Sequence, residues 1–377
     1  MCRTLGRHPR RSSGLNPTPV PAVITHRRLS GILAVALGLL VVVDAVALLR
    51  HHPWAVDLVI PLRAAERWAT GGQPYLPESF LAGPGYDLPF LYPPAILPAV
   101  ETLRAIPFAF VLVAWYMLAV GTAAWTCRRL DVPWIVVPFM LLWPPFFEAL
   151  LGANVQIFLF GAFVALLYAR PDHSQPWRPI ERDPGVRDRP APLDGLLASA
   201  NGLVKIGQLQ PWVYLLRRRP DAALFGAGVV VVVLIATLPL TGIHLWSDWL
   251  LQLGRAADPT WGLVGSSFLQ YLPGPVSALI VAGTVGLAFF VPPRHAPAWL
   301  GILMVVGNPS LRIFGLLFLL PGMLLIRREL ALLAAIFVAT YSPQGMWLAS
   351  AIVIAGMVDV RRRSIDQVTA LAGSTSG

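Results

Sequence analysis

The feature that most constrains this chain is a succession of apolar runs cut by short arginine clusters. The runs fall at 30–49, 91–106, 108–127, 132–147, 155–168, 193–203, 206–216, 222–240, 276–291, 298–307, 311–326, 330–339 and 346–358. Hydrophobic residues make up 56% of the 377 and charged residues only 13%, where a soluble domain carries about 25%. Mean hydropathy is +0.65. Such a chain cannot cover its own surface with polar groups, so its solvent is lipid. There every backbone group must be bonded internally, and helices are the element that achieves it. An upright crossing takes about 20 residues, and several runs are shorter. The expectation is an all-α, polytopic cell-membrane protein of roughly ten to thirteen membrane helices, the short ones buried among neighbours or stopping part-way.

The formal net charge of +10 would point to nucleic acid in a soluble protein. Here no basic stretch is interleaved with aromatics, so nucleic acid is not expected. The excess instead sits between apolar runs, at Arg10-Arg11, Arg27-Arg28, Arg128-Arg129, Arg217 to Arg219, Arg327-Arg328 and Arg361 to Arg363. Basic clusters of this kind hold loops on the cytoplasmic face. They define a basic cytoplasmic tail over 1–29, a membrane domain over 30–363 and a second tail over 364–377. Segments 50–90 and 244–274 then become outer loops and 170–192 a cytoplasmic one. If 91–106 and 108–127 both cross, Arg128-Arg129 falls on the wrong side, and the sequence leaves that open. Two cysteines give neither a disulfide framework nor a metal spacing. The first apolar run lacks a small-residue cleavage site and reads as an uncleaved helix.

The first outer loop opens with an amphipathic helix over 58–70. Leu62, Ala65, Trp68 and Ala69 share one side, with Arg63, Glu66 and Arg67 opposite. It should lie on the membrane surface and stop at Gly71-Gly72. In the second loop, Trp246, Trp249 and Trp261 read as interfacial anchors.

Ionisable groups beside apolar runs are costly in lipid and are functional candidates by default. Asp57, just beyond the first helix, is either a helix-start residue favoured by the dipole or a general base for a sugar hydroxyl. Asp44 reads as a carboxylate paired inside the bundle. Lys205, the single lysine among 29 basic residues, either snorkels from a helix end or binds an anion; Arg312 is similar, and Glu148 lies at the edge of another run. Asn154 and Gln156 read as interhelical glue or as substrate contacts. The histidines form no ligand constellation.

The order of these residues is more specific than any one of them. Asp57 is followed by Ala64-Ala65, Trp68 and Gly71-Gly72-Gln73-Pro74-Tyr75. Then come Leu91-Tyr92-Pro93-Pro94, Gly152-Ala153-Asn154-Val155-Gln156, Lys205 and Asn308-Pro309-Ser310. The series resembles the polyprenol-phosphate-sugar-dependent glycosyltransferases of family 87, over roughly residues 31–330. These are multispanning GT-C-class enzymes with a large first outer loop, and include mannosyltransferases. The resemblance implies Asp57 as catalytic base and Tyr75, Tyr92, Asn154, Gln156, Lys205 and Arg312 as substrate contacts. It implies a polyprenyl-phosphate sugar, mannose or another hexose or pentose, as donor. A glycolipid or glycan would accept it with inversion on the extracytoplasmic face, and no metal or other cofactor is expected. The alternative is a transporter or flippase for a lipid-linked or anionic substrate, which would use Lys205 and Arg312 without a base.

Overall fold

The computed structural model describes residues 22–52, 54–75, 89–169, 178–179, 190–205, 208–256 and 267–374. Residues 1–21 of the tail expected over 1–29, most of the cytoplasmic loop expected over 170–192 and Trp261 lie outside them. The fold is all-helical, apart from a two-residue ladder pairing Tyr168–Ala169 with Arg178–Pro179. Among the described residues, four helices are long and apolar enough to cross a membrane. A fifth crossing is counted if a pair bent by 116°, Gly274–Ala288 with Pro293–Val306, forms one span. That is narrower than the ten to thirteen expected. Other apolar helices are shorter, Gln156–Leu167 and Ile313–Met323 among them, and the first of these is buried in the core.

Helix α1 (Ala22–His51) crosses first. Ile32, Val35, Leu39 and Val43 are exposed on it, as lipid-facing residues should be. Its Ser30 hydroxyl donates to Glu329 at 2.8 Å. Next comes α2 (Val56–Ala69), the expected amphipathic helix, with Val56, Leu58, Ile60, Pro61, Ala64 and Ala65 buried. It ends where expected. Gly71 takes φ 80° and the Gly72 N–H returns to the Arg67 carbonyl at 2.8 Å, a turn that a side chain would strain.

The run over 91–106 does not cross. It forms a single 3-10 turn at Pro94–Ile96 and α3 (Leu97–Arg104). An 8-residue helix is about 12 Å long, far short of the ~30 Å hydrocarbon core. Packed on α2, it is tied by Arg104 to Glu66 at 3.0 Å. The crossing back is α4 (Phe108–Arg129). Arg128 and Arg129 therefore return to the side where α1 begins, which resolves the conflict with the arginine pattern.

Pro144-Pro145 fall near the end of the apolar run over 132–147 without separating it from the run over 155–168. Instead, α5 (Val137–Leu142) stops at Trp143 and the prolines open α6 (Pro144–Leu151). Proline is tolerated at the first helical positions because the N–H it lacks would be unbonded there. The real break comes later, at Gly152-Ala153-Asn154, before α7 (Gln156–Leu167). Then α8 (Ala191–Val204) and α9 (Gln210–Arg218) run antiparallel across Lys205. Buried Asp194 receives Arg219 at 2.7 Å, joining the start of α8 to the end of α9.

Helix α10 (Pro220–Ala256) breaks at Gly242, where φ is 71°. Its first part is the crossing, and its second part lies over the α2 side. There Leu245 and Trp249 join Val56, Ile60, Ala64, Ala65, Tyr75, Phe90 and Leu97 in a small outer core. Trp249 was expected to be an interfacial anchor. It is buried, and its indole donates to the Leu91 carbonyl at 3.0 Å. Trp246 crosses it edge-on, with ring centroids 5.7 Å apart.

The bent pair is α11 (Gly274–Ala288) and α12 (Ala296–Val306). After it come a 3-10 segment at Ile313–Leu319, α13 (Leu320–Met323), α14 (Arg328–Ala339) and α15 (Pro343–Ser374). Phe318 stands edge-on to Phe160 and Phe163, with centroids at 5.5 and 5.1 Å, at the heart of the main core.

Candidate active site

Helix α6 ends with open carbonyls and α2 begins with open N–H groups, and the two ends meet. The Ala55 N–H donates to the Leu151 carbonyl and the Asp57 N–H to the Gly152 carbonyl, each at 2.9 Å. Terminal groups that would otherwise be orphaned satisfy one another. The Tyr116 hydroxyl adds a bond to Leu151 O at 3.0 Å. To make the junction, Ala55 and Ala153 both take left-handed backbone, φ 54°, at about 1–3 kcal/mol each. They are held there by mutual packing with Leu58 and Val111. A Cβ at Gly152 would crowd the junction, standing 3.0 Å from Asp57 Oδ2 and 3.2 Å from the Glu148 carbonyl.

From this junction a hydrogen-bonded path leads across the site. Asn154 Nδ2 donates to Asp57 Oδ2 at 2.7 Å. The Asn154 Oδ1 accepts from the Gln156 N–H at 2.8 Å, so both ends of that amide are committed. Gln156 Oε1 then accepts from Lys205 Nζ at 2.6 Å and from Gln208 Nε2 at 3.3 Å. Lys205 also sits 4.8 Å from the Phe314 ring centroid, a cation–π distance. Carboxylate and ammonium are thus joined through two buried amides.

Arg312, exposed at the start of the 3-10 segment, lies within electrostatic reach of Asp57 and Lys205. Burial pushes the Lys205 ammonium down to about 8; the Asp57 charge opposes that shift and the Arg312 charge adds to it. Burial, then the Asp57 charge, pushes the Tyr92 phenol up, so it stays a neutral hydroxyl.

Asp57, Tyr92, Asn154, Gln156, Lys205 and Arg312, singled out in the sequence, therefore converge. Tyr75 stands one step back. Its hydroxyl donates to the Tyr92 carbonyl at 2.9 Å and its ring packs on Phe90 at 5.3 Å, so it supports Tyr92. Asp44 is only half-buried and its Oδ2 has no hydrogen-bond partner among the described residues. Glu148 faces Arg312, Asp57 and Tyr341. Sequence reasoning missed Gln208 and the role of His52 beside Asp57. The available signal for Gln208 was a polar residue one helical turn beyond the single lysine. Among the described residues, no three His, Cys, Asp or Glu side chains are grouped to hold a metal ion.

An acid, two cations and buried amides gathered where helices break inside an all-helical membrane protein are equipped for group transfer to a hydroxyl. A profile of glycosyltransferase family 87 matches residues 90–279, just over half of the chain, and the chain belongs to that family. It is a membrane glycosyltransferase. No curated protein and no solved structure matches it. The matched stretch is shorter than the 31–330 read from the residues. It contains Tyr92, Asn154, Gln156, Lys205 and Gln208, whereas Asp57, Tyr75 and Arg312 lie outside it and reach the site through the fold.

Proposed function

We propose that this glycosyltransferase takes its sugar from a polyprenyl-phosphate donor and passes it, with inversion, to a hydroxyl of a glycolipid or glycan on the extracytoplasmic face. Asp57 removes the acceptor proton as the hydroxyl oxygen attacks the anomeric carbon. The new glycosidic C–O bond forms while the C–O bond to phosphate breaks, and the electron pair leaves with polyprenyl phosphate. Lys205 and Arg312 face the charge growing on that phosphate, a role that donor groups fulfil best in a water-poor site.

The observation that carries this reading is the path from Asp57 through Asn154 and Gln156 to Lys205. It supports the reading because a carboxyl group and a cation share one hydrogen-bonded frame, as transfer from a phosphate to a hydroxyl requires. A transporter needs no base, so Asp57→Asn separates the two readings. The variant keeps size and hydrogen-bonding reach but cannot take a proton. Purified protein in nanodiscs, given radiolabelled polyprenyl-phosphate mannose and membrane lipid extract, should transfer label. Asp57→Asn should lower the rate by about 10²–10⁴ at an unchanged melting temperature. Full transfer by Asp57→Asn would remove the base from the mechanism.

A further inference from the structure

Two buried amides beside Lys205 have unmade hydrogen bonds, and the bonds they do make determine which ends are open. Gln156 is 1% exposed and Gln208 2%. Lys205 can only donate, so the Gln156 atom at 2.6 Å must be its oxygen. That oxygen also takes the Gln208 Nε2 at 3.3 Å, which leaves Gln156 with an open NH2 and Gln208 with an open carbonyl. Gln156 Nε2 and Gln208 Oε1 have no partner among the described residues. Leaving such groups buried and unpaired is costly, and the cost disappears when a ligand supplies what is missing.

The open pair is one donor and one acceptor, flanking a cation. An alcohol matches it: its oxygen accepts from Gln156 Nε2 and its proton goes to Gln208 Oε1. A phosphate or carboxylate would satisfy the donor and repel the carbonyl; an ammonium would do the reverse. We infer that Gln156 and Gln208 read a hydroxyl of the transferred sugar while the neighbouring Lys205 faces its phosphate. This rests on the donor reading above and adds a specificity role for both glutamines. A site built to bond a hydroxyl rejects ligands lacking it strongly, because its own polar groups are then stranded.

Binding tests this without depending on turnover. Affinities of nanodisc-embedded protein for polyprenyl-phosphate mannose and for bare polyprenyl phosphate give a sugar preference, the ratio of the two. Gln208→Leu, of similar size and apolar, should reduce that preference about tenfold, and Gln208→Asn, which keeps an amide, should retain part of it. Lys205→Ala should weaken both lipids, because it removes the charge that faces their common phosphate. Equal weakening of both lipids by Gln208→Leu, or an unchanged preference in a variant that melts like wild type, would overturn the inference alone. A misfolded Gln208→Leu passes the decision to Gln208→Asn, whose unaltered preference would also overturn it. Wild type that binds neither lipid would overturn the donor reading and this inference together.

Discussion

Asp57 is placed by its backbone as much as by its side chain. Its N–H is spent on Gly152, and Pro61, lacking an N–H, withholds the helical bond from the Asp57 carbonyl. The carboxylate therefore sits on a helix start docked against another chain segment. Gly152→Ala tests that docking. A Cβ 3.0 Å from Oδ2 would push the carboxylate off line, and transfer should fall by about 10–100-fold while the melting temperature stays close to wild type. Lys205 makes a pH prediction. Its ammonium is charged below about 8 and neutral above it, so a rate that needs the charge should decline as pH rises through 8 to 9. Lys205→Arg, which stays charged, should be slower at neutral pH but flat across that range. A wild-type rate still rising at pH 9 would mean that Lys205 carries no charge needed for transfer. Asp57 and Lys205 were legible from the sequence because ionisable residues beside apolar runs are conspicuous. Gln208 was not, because a glutamine becomes significant only when its partner is known.

Among the elements, the amphipathic pattern of α2 and its Gly71-Gly72 stop were legible, since both are local. The fate of 91–106 was not. Its composition suits a membrane helix, but Pro93 and Pro94 delay the helix and Pro107 limits it, and Arg104 at its end pairs with Glu66. That pair is half in solvent and should matter little: Glu66→Ala should cost no more than about 1 kcal/mol. The Asp194–Arg219 pair differs, with side chains 0% and 9% exposed. Asp194→Ala would take from a buried guanidinium its closer carboxylate, leaving Asp221 at 3.4 Å, and should cost about 3 kcal/mol, read as a large drop in melting temperature in nanodiscs. Equal losses from the two variants would refute this ranking.

Across the whole molecule, the helix breaks at Ala55, Gly152 to Val155, Lys205 and Asn308 to Arg312 gather on one side. Among the described residues, Arg128-Arg129 close α4, Arg217 and Arg218 close α9, and Arg328 opens α14. The expected topology places the first group outside and the arginines inside. In a cysteine-free background, Thr70→Cys should react with a membrane-impermeant maleimide in intact cells and Asp366→Cys should not. Both positions are exposed, so protection reports sidedness rather than burial. The reverse labelling would invert the molecule and move the proposed transfer to the other face.

By itself the sequence determined that lipid is the solvent, that helices are the element, that α2 is amphipathic, and which ionisable residues demand an explanation. All of these follow from composition and short-range periodicity. Only the tertiary structure decided that 91–106 turns back, that the Gly152 turn docks on α2, and that Gln208 joins the lysine. The bonds that make the site link residues 97 positions apart at Asn154 and Asp57 and 49 apart at Lys205 and Gln156. No local pattern encodes a contact at that separation. It exists because the fold brings the start of α2 and the broken ends of α6, α7 and α8 together, where their polar groups bond with one another.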